Sequence, residues 1–362
     1  MGRVLVSPLN WGLGHATRDI PVIRELLKNG HEVTVAATGS ALLALRREFP
    51  DVAWIDAPDY TAPYGTGNHL LPRIVWNLPG LYRELAAERR CISRILAKDR
   101  YDLILSDNRL GMYSESVPSL FITHQLHFHF PPVIWPVEIT ALLLNRLLHG
   151  KYARIIVPDN PPGPAALAGK LSRPILRSSM EHCFFTGILA TAEKRDLAED
   201  LDYLFIISGP EPQRTLFEQI VLPRLPDLPG RKVVLLGSPG KGATTVPDPE
   251  TTVIGYADTE EKIALLNRAK FIVCRSGYTT MMELAEVQKR NALLVPTPGQ
   301  TEQEYLAAYY RERGWFFSQE QGRLDLVSDI KKAEGFAGFP AMPETAGNVR
   351  RLYREVLAPY VE

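Results

Sequence analysis

Along the first half of the chain, short runs of apolar and β-branched residues alternate with longer stretches in which apolar positions recur every three or four residues. RVLVS is followed by a helical pattern reaching about Asn29, then by EVTVAAT, a helix around SALLALRREF, and VAWID. The series continues with a helix LYRELAAERRCISRILA, strands YDLILSD and SLFITH, a helix near ITALLLNRLL and a strand ARIIVPD. Strands alternating with amphipathic helices predict a parallel sheet of the doubly wound kind.

The second half restarts the pattern. YLFIISG, a helix near QRTLFEQIVLPRL, RKVVLLGS, TTVIGYA, a helix near TEEKIALLNRA, KFIVCRSG, the helix TTMMELAEVQK, NALLVPT and the helix EQEYLAAYYRERG form a second unit of the same logic. Between them, residues 182 to 199 begin strand-like and turn charged, as a linker would. The expected fold class is α/β, with two Rossmann-like domains over residues 1–190 and 191–343. The helical segment 344–362 is expected to pack back on the first. Two such domains facing each other would leave a cleft lined by the carboxyl ends of both sheets, where open α/β sheets bind ligands.

Composition narrows the function classes. With 362 residues, 45% hydrophobic and 23% charged, the chain has material for about two globular domains. Lys+Arg and Asp+Glu each number 41, so no net field attracts nucleic acid. Cys91, Cys183 and Cys274 are odd in number and far apart, which argues against a disulfide framework and a cysteine zinc site, and fits a reducing cytoplasm. MGRVLVSPLNWG has too short an apolar core for a signal peptide and reads as a first strand. The longest stretch without Asp, Glu, Lys or Arg, LFITHQLHFHFPPVIWPV, contains three histidines and three prolines, which speaks against a membrane-spanning helix.

NWGLGHATRD, residues 10 to 19, joins the first strand to the first helix, a geometry suited to holding an anion. Gly12 and Gly14 satisfy the start of a dinucleotide fingerprint, but Thr17 stands where its third glycine belongs. The second strand ends at Thr38 with no acid to hold a ribose. A turn that only packs is the plainer reading of the glycines. His15 and Arg18, polar residues at the helix start, favour a functional loop.

CRSGYTTMMEL, residues 274 to 284, also follows a strand and opens a helix. The backbone amides of Ser276, Gly277 and Tyr278 are candidates to cradle a diphosphate, with Arg275 adding charge. Glu283, further along this helix, is a candidate acceptor for two vicinal ribose hydroxyls, or else an ordinary exposed helix glutamate. In PTPGQTEQEYL the side chains of Gln300, Thr301, Gln303 and Glu304 suit sugar hydroxyls. Thr301 and Glu304 also have the spacing of a helix capping box.

GLGH, SGPEPQR, VIGYAD, CRSGYTTMMEL and PTPGQTEQEYLAA, in this order, resemble glycosyltransferase family 28, which includes the transferase that completes peptidoglycan lipid II. The likeness spans most of the chain and is most specific from about Tyr203 to Gly314. The opening loop is also similar to the GHATR-type loop of bacterial and archaeal glycosyltransferases of the same superfamily. The resemblance implies a B-type glycosyltransferase fold, inverting chemistry, a nucleotide-sugar donor on the C-terminal domain and an acceptor on the N-terminal one.

By position, the resemblance assigns Glu283 to the ribose, Ser276 and Gly277 to the diphosphate with Ser208 and Gly209 beside them, Tyr256 and Ala257 to the base, and Gln303 to the sugar. His15 matches the histidine closing the family's glycine loop, and becomes the candidate general base or acceptor-positioning group. Imidazole is the side chain whose ordinary titration range suits proton removal near neutrality. Gly12, Gly14, Arg18, Asp107, Asn108, His124 and Gln125 fall on the acceptor side, and the polarity of Arg109 suits an acceptor too. The family's paired glutamines are here Gln303 and Glu304. Its glycine-rich run is here SGPEPQR, where Pro210 has no amide to donate.

No metal or resident cofactor is expected; the co-substrate is a nucleotide-sugar, with UDP as the expected nucleotide. The D-x-D match, Asp200 to Asp202, precedes a strand instead of following one. His124, His127 and His129 lack a matched Cys or Glu ligand, so lining or packing is favoured over zinc. Residues 130 to 154, with Trp135, a leucine stripe and basic residues, read as core or as a surface for membrane contact with a lipid-linked or cell-envelope glycan acceptor. Three classes remain open: an inverting glycosyltransferase at the cytoplasmic side, a nucleotide-sugar epimerase, and a non-catalytic nucleotide-sugar or glycan binder.

Overall fold

The computed structural model describes residues 1–60, 70–127, 146–174, 179–237 and 248–362. The chain divides into two compact units, Met1–Thr191 with Pro343–Glu362, and Ala192–Met342. The sheets are parallel throughout, seven-stranded in the first unit and six-stranded in the second.

In the first unit the strands are β1 (Arg3–Pro8), β2 (Glu32–Ala37), β3 (Ala53–Asp56), β4 (Leu103–Asp107), β5 (Ser119–Ile122), β6 (Arg154–Val157) and β7 (Cys183–Phe185). Their order is β3-β2-β1-β4-β5-β6-β7. The chain winds outward from β1 in one direction and from β4 in the other. A switch point is therefore left at the carboxyl ends of β1 and β4, where Pro8 pairs with Asp107 and Leu9 N–H donates to Asp107 C=O at 3.0 Å.

Helix α1 (Leu13–Lys28) leaves this point. Its Ile20, Val22, Ile23 and Leu26 are fully or almost fully buried against the sheet, each contributing roughly 1.5–3 kcal/mol. Together they outweigh the ~3 kcal/mol cost of an internal proline, Pro21. Pro21 cannot donate to the carbonyl of Thr17, and the hydroxyl of Thr191 takes that bond at 3.3 Å. The first helical residue is preceded by Gly12, whose φ of +96° is open to glycine and strained for other residues.

The helices α2 (Gly39–Glu48) and α3 (Leu70–Lys98) complete the described helical cover of this sheet before the chain end returns. Val349, Leu352, Val356, Leu357 and Val361 of the C-terminal segment share a core with Val4, Val6, Ile20 and Ile23. Asn348 Nδ2 donates to Ile188 C=O at 3.0 Å, and Ala190 N–H to Thr345 Oγ1 at 3.0 Å.

The second unit contains β8 (Leu201–Ile206), β9 (Lys232–Leu235), β10 (Thr251–Ile254), β11 (Ala269–Cys274), β12 (Ala292–Leu294) and β13 (Phe317–Ser318), ordered β10-β9-β8-β11-β12-β13. Helices α4 (Gln213–Val221), α5 (Thr259–Arg268), α6 (Tyr278–Glu286), α7 (Thr301–Glu312) and α8 (Leu326–Ala333) connect and cover them. The switch point here lies between β8 and β11, which puts Ser208–Gly209 beside Arg275–Gly277. All three cysteines are free. Among the described residues no helix is long and apolar enough to cross a membrane. Residues 130–145, including Trp135, lie outside the described residues, as does His129.

Candidate active site

In the first unit the switch point gathers four of the expected residues into one hydrogen-bonded cluster. Arg18, on the second turn of α1 and 1% exposed, grips Asp107 at the end of β4, Nε to Oδ2 at 2.5 Å and Nη2 to Oδ1. Arg18 Nη1 donates to His124 Nδ1 at 2.9 Å. Because a guanidinium only donates, His124 Nδ1 is the acceptor, and the proton of its neutral ring sits on Nε2.

His15 Nδ1 lies 2.8 Å from Asp107 Oδ1 and 2.9 Å from Arg18 Nη2. A bare nitrogen lone pair against the carboxylate would be repulsive, whereas an N–H there makes a charge-assisted bond. With the proton on Nδ1 the Asp107 contact is a hydrogen bond, the Arg18 Nη2 contact is a close approach of two donors, and Nε2 is left as a lone-pair acceptor. Asp107 is fully buried. Burial opposes its charge, but Arg18 and His15 outweigh that and hold its carboxyl well below the usual carboxylate range.

The neighbouring residues behave differently from expectation. Asn108 has φ +54° and serves as the left-handed turn after β4, so its backbone explains its residue type. Arg109 is wholly buried and turned inward, with Nε on Glu88 at 2.7 Å and further bonds to the carbonyls of Pro58 and Ala36. It is a core residue and no acceptor contact. Gln125 N–H bonds Thr123 Oγ1 at 3.0 Å, and the Gly14 carbonyl accepts from Thr17 Oγ1 at 3.2 Å. Asn10, at the start of the loop, bonds Ala41 N–H at 2.9 Å through Oδ1 and so ties the loop to α2.

One residue beside this cluster was not among those expected from the sequence. Asp19, the residue after Arg18, is fully buried, and among the described residues neither of its carboxyl oxygens meets a donor. Its one-turn spacing from His15 would have pointed to it.

In the second unit Arg275 is a correction. It is 1% exposed, and all five of its N–H donors are used within the protein. Nε bonds Ser208 C=O at 3.4 Å, Nη1 bonds Val295 and Pro296 C=O at 3.1 and 3.2 Å, and Nη2 bonds Gln213 C=O and Gln321 Oε1 at 3.0 and 2.6 Å. Its guanidinium also lies 4.1 Å over the Phe217 ring. Arg275 thus ties together the loops after β8 and β12 and has no donor left for a ligand. Burial pulls its pKa down to about 10, which leaves it charged at neutral pH with no carboxylate among these partners. Its positive field acts on the loop amides above it.

Ser276 is likewise fully buried, its hydroxyl donating to Gln303 C=O at 2.8 Å, so its side chain is committed within the protein. Gly277 is the N-cap of α6, and a Cβ there would lie 3.7 Å from Gln303 Nε2. Gly209 has φ +114° and faces the hydroxyl of Thr297, which is buried and among the described residues meets no hydrogen-bond partner. Sequence reasoning passed over Thr297, and only the fold brings it to Gly209.

Glu283 is 2% exposed, which excludes the ordinary exposed helix glutamate. Both its oxygens accept from Lys262 Nζ, at 2.6 and 2.7 Å, a pairing with no marker in the sequence. Tyr256 and Ala257 lie in the turn between β10 and α5, whose N-cap Asp258 accepts from Glu261 N–H. The capping box expected at Thr301 does not form: the N-cap of α7 is Gln300, whose side chain makes no capping hydrogen bond. Gln303 Oε1 accepts from Thr297 N–H at 2.9 Å and its Nε2 donates to Gln300 Oε1 at 2.5 Å, while Glu304 Oε1 accepts from Gly299 N–H at 2.9 Å.

Asp200 and Asp202 sit at the amino end of β8, away from these loops, and are bonded to Arg268 and Lys270. Among the described residues no group of His, Cys, Asp and Glu is arranged to hold a metal ion.

No protein-family model and no curated protein matches the chain. Solved structures do. The calicheamicin glycosyltransferase CalG4 superposes with TM-score 0.63 at 16% identity, over 99% of this chain and 94% of that one. The spinosyn rhamnosyltransferase SpnG, solved with thymidine diphosphate, gives 0.60 at 15%, over 99% and 96%. MurG of Acinetobacter baumannii gives 0.52 at 14%, over 99% and 100%. The chain therefore has the two-domain fold of the B-type glycosyltransferases.

Proposed function

We propose that the protein is an inverting glycosyltransferase, moving a sugar from a nucleotide diphosphate, with UDP as the first candidate, to a hydroxyl acceptor. The observation that carries the reading is the His15–Asp107 hydrogen bond, with Arg18 fixing the carboxylate. In the reaction, His15 Nε2 takes the proton of the acceptor hydroxyl. The freed oxygen pair forms a bond to the anomeric carbon, the bond from that carbon to the diphosphate oxygen breaks, and the nucleoside diphosphate leaves with the electron pair. A single displacement inverts the anomeric centre.

The second unit supports the leaving group through electrostatics. The backbone amides of Ser276, Gly277 and Tyr278 at the start of α6, and the uncompensated charge of buried Arg275, favour an anion that gains charge as the bond breaks. Glu283, with Lys262 as its competitor, is assigned to the ribose hydroxyls. Gln300, Thr301, Gln303 and Glu304 are assigned to the sugar, and Tyr256 and Ala257 to the base. A lipid-linked or envelope glycan is the acceptor class we propose, with the protein acting at the cytoplasmic side of a membrane.

Calorimetry with UDP, GDP and dTDP tests the donor assignment; failure of all three to bind would overturn it. His15→Ala is expected to lower turnover ~10²–10⁴-fold while leaving nucleotide affinity unchanged. An unchanged rate would exclude His15 as the base, whereas nucleotide binding without any transfer by the wild-type protein would make it a binder.

A further inference from the structure

Asp19 has no role in the scheme above. It follows Arg18 on α1, one helical turn beyond His15, and its side chain is completely buried. Among the described residues neither of its carboxyl oxygens meets a hydrogen-bond donor. The charged groups acting on it are the Asp107 carboxylate, close enough to share a hydrogen bond, and Arg18. Arg18 has already turned Nε and Nη2 toward Asp107 and Nη1 toward His124. Among the described residues no charged group from β1, β2, α2 or the C-terminal segment packed against α1 acts on Asp19. Two interacting carboxylates that are both fully buried beside one cation do not both stay ionised.

We propose that Asp19 keeps its proton at neutral pH and donates it to Asp107, as a positioning residue that sets the proton affinity of His15. The inference rests on the reading of His15 as the base. With Asp19 neutral, the cluster holds one anion, Asp107, and one cation, Arg18, and His15 Nε2 stays free to accept a proton. An ionised Asp19 would add a second negative charge, hold a proton on His15 and remove the lone pair the reaction needs. Burial first, and then the adjacent Asp107 charge, push the Asp19 carboxyl well above the ordinary range, with Arg18 opposing.

Asp19→Asn keeps the side-chain size and a donor toward Asp107. NMR titration of the His15 ring in the full chain is expected to give midpoints for wild type and Asp19→Asn that agree within ~0.3 unit. In the wild-type chain, the Asp19 carboxyl-carbon resonance is expected to keep its protonated position at pH 7. That second measurement needs no variant to fold. A His15 midpoint lowered by about one unit or more, the effect of deleting a neighbouring anion, overturns the proposal. So does an ionised Asp19 resonance at pH 7. Neither readout uses a donor or an acceptor, so they stand or fall separately from sugar transfer.

Discussion

Replacing Asp107 by Asn leaves the shape of the cluster almost unchanged and removes its anion. Arg18, 1% exposed, then loses the Asp107 carboxylate, and breaking a buried pair by removing one member costs about 3–5 kcal/mol. Against a typical stability of about 5–15 kcal/mol the variant still folds, with a clearly lower denaturant midpoint. The same change removes the acceptor that keeps the His15 proton on Nδ1, so UDP release from a UDP-sugar is expected to slow by ~10²–10⁴-fold.

The pH dependence has a definite sign. The Asp107 carboxyl titrates below its unfolded value near ~3.9, so its stabilising effect is complete above that value and is lost as pH falls toward the folded one. The Asp107 contribution to the stability gap between wild type and Asp107→Asn is therefore complete above about pH 5 and is lost in stronger acid. With Asp107 gone, Asp19 can ionise beside Arg18 and recover part of the loss, which the double variant Asp19→Asn/Asp107→Asn removes. Urea denaturation at several pH values, together with the UDP-release assay, reads both effects. A variant that unfolds at the wild-type midpoint and releases UDP at the wild-type rate would refute the reasoning.

Three further outcomes are expected. Arg275→Met strands buried carbonyls of the β8 and β12 loops, at about 1–3 kcal/mol each before relaxation, and Lys does not rescue it because an ammonium lacks the planar fork. Unchanged stability with lost UDP affinity would show direct nucleotide contact instead. Thr297→Val removes a buried hydroxyl that meets no partner among the described residues and is expected to stabilise the protein by about 1 kcal/mol in denaturant unfolding; a loss of that size would mean the hydroxyl is satisfied. Glu283→Gln is expected to weaken UDP about tenfold or more while leaving 2′-deoxy-UDP less affected, and calorimetric affinities for UDP equal to wild type would exclude the ribose role.

Alternating apolar runs and 3.6-residue periodicity were enough to read two parallel-sheet units from the chain, because each strand buried on both faces must be apolar along its length, and each helix on one side. The position of His15 was legible for the same local reason: a glycine turn between a strand and a helix leaves few choices for where the next side chains go. The roles of Arg109 and Arg275 were not legible. A polar residue at a strand end looks the same in sequence whether it faces a ligand or turns inward, and only the fold supplies Glu88 for one and the carbonyls of two loops for the other. Glu283 and Lys262 lie 21 residues apart on different helices, and Arg18 and Asp107 lie 89 apart on a helix and a strand. No periodicity links such pairs. Charge state in the cluster was decided at the same level, since whether Asp19 holds a proton depends on burial and on which carboxylate the sheet order sets beside it.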